Sequence, residues 1–338
     1  MLRVLASLEE RQLPLRGRFA ALGGNLAALR TGQRFIDRDL NRAWTLDNLE
    51  ALRAQDSSED DTEDREQREL VEILDQVRRE ARGPVIFVDL HTSSAPGASF
   101  ACMSDTLANR RIAMALPVPI ILGLEECIDG AIMDYFNRHK MVAVAVEGGR
   151  EDDPGTIDNL EAAVWIGLLA AAMLSSDCVD RGAYERCLRE SAGGLPRVLE
   201  VRHRQHIEPG EEFLMEPGFK SFDEVRKGRL LASGNGQSFV AHENCRVLLP
   251  LYQGLGDDGY FLVRSVGVFW LWFAGMLRRC RMHAFVHWLP GVRRHPEQNN
   301  TLIVAPFAKR LFAREIFHLL GFRRLRTVQG EMCFSRRP

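Results

Sequence analysis

Apolar positions fall into two textures along the 338 residues. The first half holds long helical stripes and two dense β-rich runs. In the segment after Asp61, Leu70, Ile73, Leu74 and Val77 recur at helical spacing and predict a helix that buries one face. Pro84-Val-Ile-Phe-Val-Asp-Leu90 and Met141-Val-Ala-Val-Ala-Val146 are nearly continuous apolar runs, the pattern of central strands covered on both faces. Helices are expected over 2–10, near 106–115 and over 157–175, with a first strand near Arg18–Gly23. From about Leu195 the runs shorten. Leu199–Arg204, Glu212–Met215, Gly228–Ala232, Ser238–Ala241 and Cys245–Leu249 read as short strands between Gly, Pro and Asn turns.

This alternation predicts an α/β fold followed by a smaller all-β domain. The expected boundaries are 1–175 for the α/β domain, 195–267 for the β domain and 268–338 for a basic, aromatic, partly helical extension. The longest apolar run, Val266 to Leu277, has twelve residues. A bilayer-spanning helix needs about 20, so the run reads as a buried or interfacial segment.

Charge sharpens that division. The chain carries 44 basic and 46 acidic residues, a net of −2, so no global polycation is available for nucleic acid and none is expected as a partner. From Arg278 to Pro338, however, 13 Lys/Arg face 3 Asp/Glu, a net of +10, which leaves −12 on the remainder. Trp270, Trp272, Phe273 and Arg278, Arg279 and Arg281 raise the idea of membrane-surface contact, but an apolar packing segment with a solvated basic edge is the favoured reading. Asp56–Glu69 holds eight acidic and two basic residues and is expected to be a solvated loop leading into a helix. Seven widely spaced cysteines without a Cys-x-x-Cys pair indicate neither a disulfide framework nor a zinc ribbon, and point to a reducing cytoplasm.

Three places could carry chemistry. Arg34, Asp37, Asp39, Asn41 and Arg42 crowd beside Gly32, and planar guanidiniums there could cradle a carboxylate. His91 closes the first β-rich run, with Asp89 two residues earlier. Glu147 closes the second, before Gly148 and Gly149, where burial would raise its pKa toward acid/base use. In open α/β sheets, ligands bind beyond the carboxyl ends of such strands. His283 with His287 and His203 with His206 read as structural.

Taken in order, Gly24-Asn25-Leu-Ala-Ala-Leu, Arg34-Phe-Ile-Asp-Arg-Asp-Leu-Asn-Arg42 with Trp44, Val88-Asp-Leu-His91-Thr and Val144-Ala-Val-Glu147-Gly-Gly resemble the aspartoacylase/succinylglutamate desuccinylase family of the zinc carboxypeptidase superfamily. Pro217-Gly-Phe, Lys227-Gly-Arg-Leu-Leu-Ala and Leu249-Pro-Leu-Tyr-Gln-Gly extend the likeness, which covers about residues 12–267. The resemblance implies a zinc-carboxypeptidase-like α/β/α sandwich without its N-terminal strand, and a hydrolase that cleaves a small N-acyl amino acid or related carboxylate. It implies His91 as a zinc ligand, Glu147 as the acid/base carboxylate and Arg34 as the oxyanion donor. Asn41 and Arg42 would grip the substrate carboxylate, with Asp39 orienting them.

The family's other two zinc ligands lie in a His-Gly-x-Glu motif that this chain does not contain. A truncated hydrolase is the favoured explanation and a carboxylate-binding relic without catalysis the alternative; either way, zinc binding by this chain is expected to be weak or absent. The sequence leaves the oligomeric state open.

Overall fold

The structure is a computed structural model and describes residues 1–338 except 209, 253–255, 297–300, 306, 308–313, 329–330 and 337–338. Four helices come first: α1 (Leu2–Glu10), α2 (Leu26–Thr31), α3 (Leu46–Ala54) and α4 (Thr62–Glu80). Asp61 starts α4 with a capping box closed by Asp64, and Leu70 and Leu74 bury the expected face. The α/β part continues with β1 (Ile86–Ser93), β2 (Phe100–Cys102), α5 (Leu107–Ala113), β3 (Ile120–Leu122), α6 (Leu124–Cys127), α7 (Ile132–Arg138), β4 (Val142–Arg150), α8 (Pro154–Ala170) and α9 (Arg181–Ser191). Residues 18–23, expected as a strand, have no regular structure. Their sequence lacks β-branched residues, and β1 ends the sheet with no neighbour beyond it among the described residues.

The next strands are β5 (Val198–His206), β6 (Leu214–Met215), β7 (Glu224–Val225), β8 (Leu230–Gly234), β9 (Gln237–Val240), β10 (Cys245–Leu248) and β11 (Asp258–Ser265). The main sheet has eight strands in the order β1-β4-β2-β3-β5-β11-β10-β7. β4 lies parallel to β1 and antiparallel to β2, and β5 lies parallel to β3 and antiparallel to β11. The sheet is therefore continuous across the boundary expected near residue 195. β6, β8 and β9 form a second, three-stranded antiparallel sheet.

Strand alternation divides the core between the two faces of the main sheet. Phe87, Phe100, Ala143 and Ala145 join Leu70, Leu74 and Phe136 on one face. Val88, Val144, Val146 and Ile120 join Ala163 and Ile166 of α8 on the other. Phe87 stacks on Phe136 at a centroid distance of 3.9 Å. Because its face alternates, β1 presents Asp89 and His91 on the Phe87 side, and β4 presents Glu147 on the Ala145 side. Both sets lie on the face covered by α4 and α7.

The chain ends in α10 (Val268–Arg279), a 3-10 helix at Met282–Trp288, β12 (Val292–Arg294), β13 (Thr301–Val304), the helix Arg314–Leu319, β14 (Phe322–Val328) and β15 (Glu331–Arg336). The four strands make an antiparallel sheet in the order β12-β13-β15-β14. Val292, Leu302, Val304, Phe317 and Phe334 give it a core of its own. Buried Arg278 ties this module to the main sheet's helices, donating to Asp105 Oδ2 at 2.8 Å and to the carbonyls of His318 at 3.0 Å and Leu319 at 3.0 Å. His318 Nδ1 lies 2.8 Å from Glu200 Oε1 on β5.

Candidate functional site

Parallel pairing of β1 with β4 sets His91 directly opposite Glu147. Two glycines follow Glu147, and a Cβ at Gly148 would sit 2.5 Å from Leu160 Cγ. This position therefore excludes larger residues. The Gly148 carbonyl accepts hydrogen bonds from Ser99 Oγ at 2.6 Å and Asn159 Nδ2 at 2.9 Å, which fixes the backbone beside Glu147.

His91 Nε2 lies 2.8 Å from Asp89 Oδ2, two residues back on the same strand face. Burial pushes the imidazole pKa down, but the Asp89 carboxylate and then Glu147 outweigh it, so the value rises to about 9. Glu147 Oε2 is buried without a hydrogen-bond partner among the described residues. Burial raises its pKa above the ordinary carboxylate value, Asp89 adds to the rise, and His91 and Arg34 oppose it.

The loop that carries Arg34 is held by a buried glutamate. Glu63 on α4 is fully buried; its carboxylate accepts the backbone N–H groups of Ile36 at 2.7 Å, Asp37 at 2.9 Å and Arg38 at 3.3 Å, and Asn25 Nδ2 at 2.7 Å. Burial raises its pKa, but the hydrogen bonds more than offset this and leave it below the usual value. Part of the acidic run is thus an internal clamp, which corrects the expectation of a solvated loop. Asp60 and Asp64 are likewise engaged, by Arg68 and Arg38.

From that clamped loop Arg34 extends toward the strand ends, and its charge acts on both His91 and Glu147. Asp39 orients it: Oδ2 accepts from Arg34 Nε at 3.1 Å and Nη2 at 2.8 Å, while Oδ1 caps the 3-10 turn Leu40–Arg42 through Asn41 N at 2.9 Å. Asn41 Oδ1 accepts the N–H of Ile132 at 3.0 Å, at the start of α7. Arg42 Nη2 pairs instead with Asp257 at 3.3 Å and Asp258 at 3.1 Å, acids that also bind Arg204. Arg42 Nε is buried and has no partner among the described residues.

Glu63, Asp257, Asp258 and Arg204 were not singled out from the sequence. Glu63 was hidden in a charge run. The Asp257–Asp258 pair meets Arg42 across more than 200 residues of chain, a contact that spacing alone does not reveal.

The donor set does not fit a catalytic zinc ion, which takes three protein ligands and a water. His91 brings one imidazole, and its Nε2 is engaged by Asp89. The described residues hold two groups of three residues whose ligand atoms lie within 4.8 Å of one another, His206/Asp257/Asp258 and Asp37/Asp61/Glu63, and neither contains His91. The aspartates of the first already bind Arg42 and Arg204, and Glu63 in the second is saturated by amides.

The mixed sheet, covered on both faces and carrying His91 and Glu147 at the ends of neighbouring parallel strands, has a zinc-carboxypeptidase-like α/β architecture. Residues 1–139 match the family model described as the succinylglutamate desuccinylase/aspartoacylase catalytic domain. Solved structures of succinylglutamate desuccinylases share the fold. The one from Vibrio cholerae has a TM-score of 0.54 at 16% identity, covering 90% of this chain and 79% of that one. The Vibrio parahaemolyticus structure has a TM-score of 0.54 at 12% identity, with 78% and 76% covered. That from Chromobacterium violaceum has 0.52 at 17%, with 78% and 79% covered. A search of curated protein sequences found no match.

Proposed function

We propose that the protein is a deacylase that hydrolyses the acyl amide of a small N-acyl amino acid or a related carboxylate. The observation that carries this reading is Glu147: a buried carboxylate with one unpartnered oxygen, held opposite His91 and within the field of Arg34. Burial raises its pKa above the ordinary carboxylate value, the direction that favours holding and returning a proton, as amide hydrolysis requires. Glu147 Oε2 accepts the proton of the attacking water and passes it to the leaving nitrogen. Arg34, fixed by Asp39, donates to the oxygen on which negative charge develops. Asn41 and the free Nε–H of Arg42 hold the substrate carboxylate, with Asp257 and Asp258 keeping the guanidinium in place.

Steady-state hydrolysis of a panel of N-acyl amino acids tests the assignment. Glu147→Gln should lower kcat by about 10²-fold or more, because the amide cannot accept the proton. Arg34→Ala should lower kcat, and Arg42→Ala should chiefly raise KM, since the carboxylate it grips is present equally in ground and transition states. The kcat/KM of the parent protein should rise with pH through a pKa above the ordinary carboxylate value, a limb that Glu147→Gln removes. Activity retained in Glu147→Gln sinks the role of that residue.

The incomplete donor set around His91 favours a second reading, a carboxylate-binding protein without turnover. Calorimetric binding of the same panel, lost in Arg42→Ala and unaccompanied by hydrolysis, would select it.

A further inference from the structure

Helix α10 is apolar around nearly its whole circumference. Leu271, Ala274 and Arg278 form the buried stripe. At 100° per residue, Phe269, Trp272, Phe273 and Met276 share the arc opposite that stripe. Phe269 is 62% exposed and Trp272 63%, so the packing reading of this segment holds for one face alone. The 3-10 helix that follows is packed against α10. Three residues per turn align Met282, Phe285 and Trp288, which are 43%, 45% and 72% exposed. A helix with apolar residues on its solvent side is not satisfied by the packing seen here.

Charge identifies what covers it. Residues 266–296 contain no Asp or Glu, whereas Arg279, Arg281, Arg293 and Arg294 are exposed around the ends of these two elements. The segment from Arg278 onward carries a net of +10 against −12 on the rest of the chain. A second copy seated on this face would bring two strongly basic segments together. A negatively charged surface complements it, and Trp with Arg is the pairing that settles at a lipid headgroup boundary. The twelve residues of α10 span about 18 Å, too short to cross a bilayer core of about 30 Å. None of the described helices is long and apolar enough to cross a membrane. The helix can therefore lie in the interface plane with its aromatic arc inward.

We propose that the exposed face of α10 and the adjoining 3-10 helix docks the protein on an anionic lipid membrane surface. Phe269, Trp272, Phe285 and Trp288 enter the headgroup boundary, while Arg279 and Arg281 meet lipid phosphates. Flotation of the full chain with phosphatidylcholine vesicles, with and without phosphatidylglycerol, tests this. Binding should require phosphatidylglycerol and weaken as salt rises.

Arg279→Glu with Arg281→Glu should lower the partition coefficient roughly tenfold or more, and Phe269→Ser with Trp272→Ser by a similar factor. All four side chains are exposed, so the variants should keep the parent's circular dichroism. Trp44 and Trp165 are 1% and 0% exposed, so quenching by brominated lipid would report Trp270, Trp272 and Trp288. Equal binding to pure phosphatidylcholine, or partitioning unchanged in both variants, overturns the proposal. So does a dimer in sedimentation that the Phe269/Trp272 variant dissolves without any lipid binding, which would give the face to a second copy.

Discussion

Glu63 shows how one residue can set a site from beneath it. Its carboxylate replaces water for three backbone N–H groups of the loop that presents Arg34, and nothing of it reaches the surface. Glu63→Gln puts an N–H₂ group among donors and should cost about 2–3 kcal/mol in urea unfolding at pH 7. The folded pKa lies below the ordinary 4.5, so the stabilisation is fully present above that value. It is lost as pH falls through the folded pKa, so the gap between parent and variant should close on acidification. His91 carries a different expectation. With one imidazole and, among the described residues, no group of metal-ligand types that includes it, elemental analysis of the 338-residue chain should find no stoichiometric zinc. One tightly held ion per chain, lost in His91→Ala, would reveal a ligand set that the described residues do not display.

At the scale of elements, the turn at Gly130 locks the Arg42 segment against α7. Its φ is +75°, its carbonyl accepts Trp44 N at 3.0 Å, and an added Cβ would lie 2.1 Å from Arg42 O. Gly130→Ala must push that backbone away; about 1–3 kcal/mol of thermal stability should go, together with a raised KM for any carboxylate substrate. Legibility followed element length. The β-branched runs Val85–Leu90 and Val142–Val146 were long enough to announce β1 and β4, and with them the positions of His91 and Glu147. Phe-Ala-Cys in β2 and Ile-Ile-Leu in β3 are only three residues each, too short to show a period, and went unseen. Arg18–Gly23 had an apolar look but no strand to pair with. The exposed arc of α10 is not legible from the sequence for a related reason: an all-round apolar helix reads as buried until its neighbours are known.

For the whole molecule, the central fact is that β5 serves two sheets' worth of chain, pairing with β3 on one side and β11 on the other. Composition changes near residue 195, yet hydrogen bonding does not stop there, because turn-rich sequence sets strand length and not which edge a strand joins. A fragment ending at residue 193 would leave Ile120 and Ile121, both 0% exposed in the full chain, on an open edge. It should aggregate or show broad, non-cooperative melting in calorimetry; a sharp, reversible transition would mean that the α/β part folds by itself. The same strand order also runs in time. Pairing through β4 connects β1 to β2 and β3, so as the chain leaves the ribosome these strands have no common sheet until residues 142–150 emerge. That strand brings Glu147 to His91 in the act of joining them. Asp257 and Asp258 are made more than a hundred residues later, so a stalled nascent chain can bring His91 and Glu147 together while Arg42 still lacks its anchor.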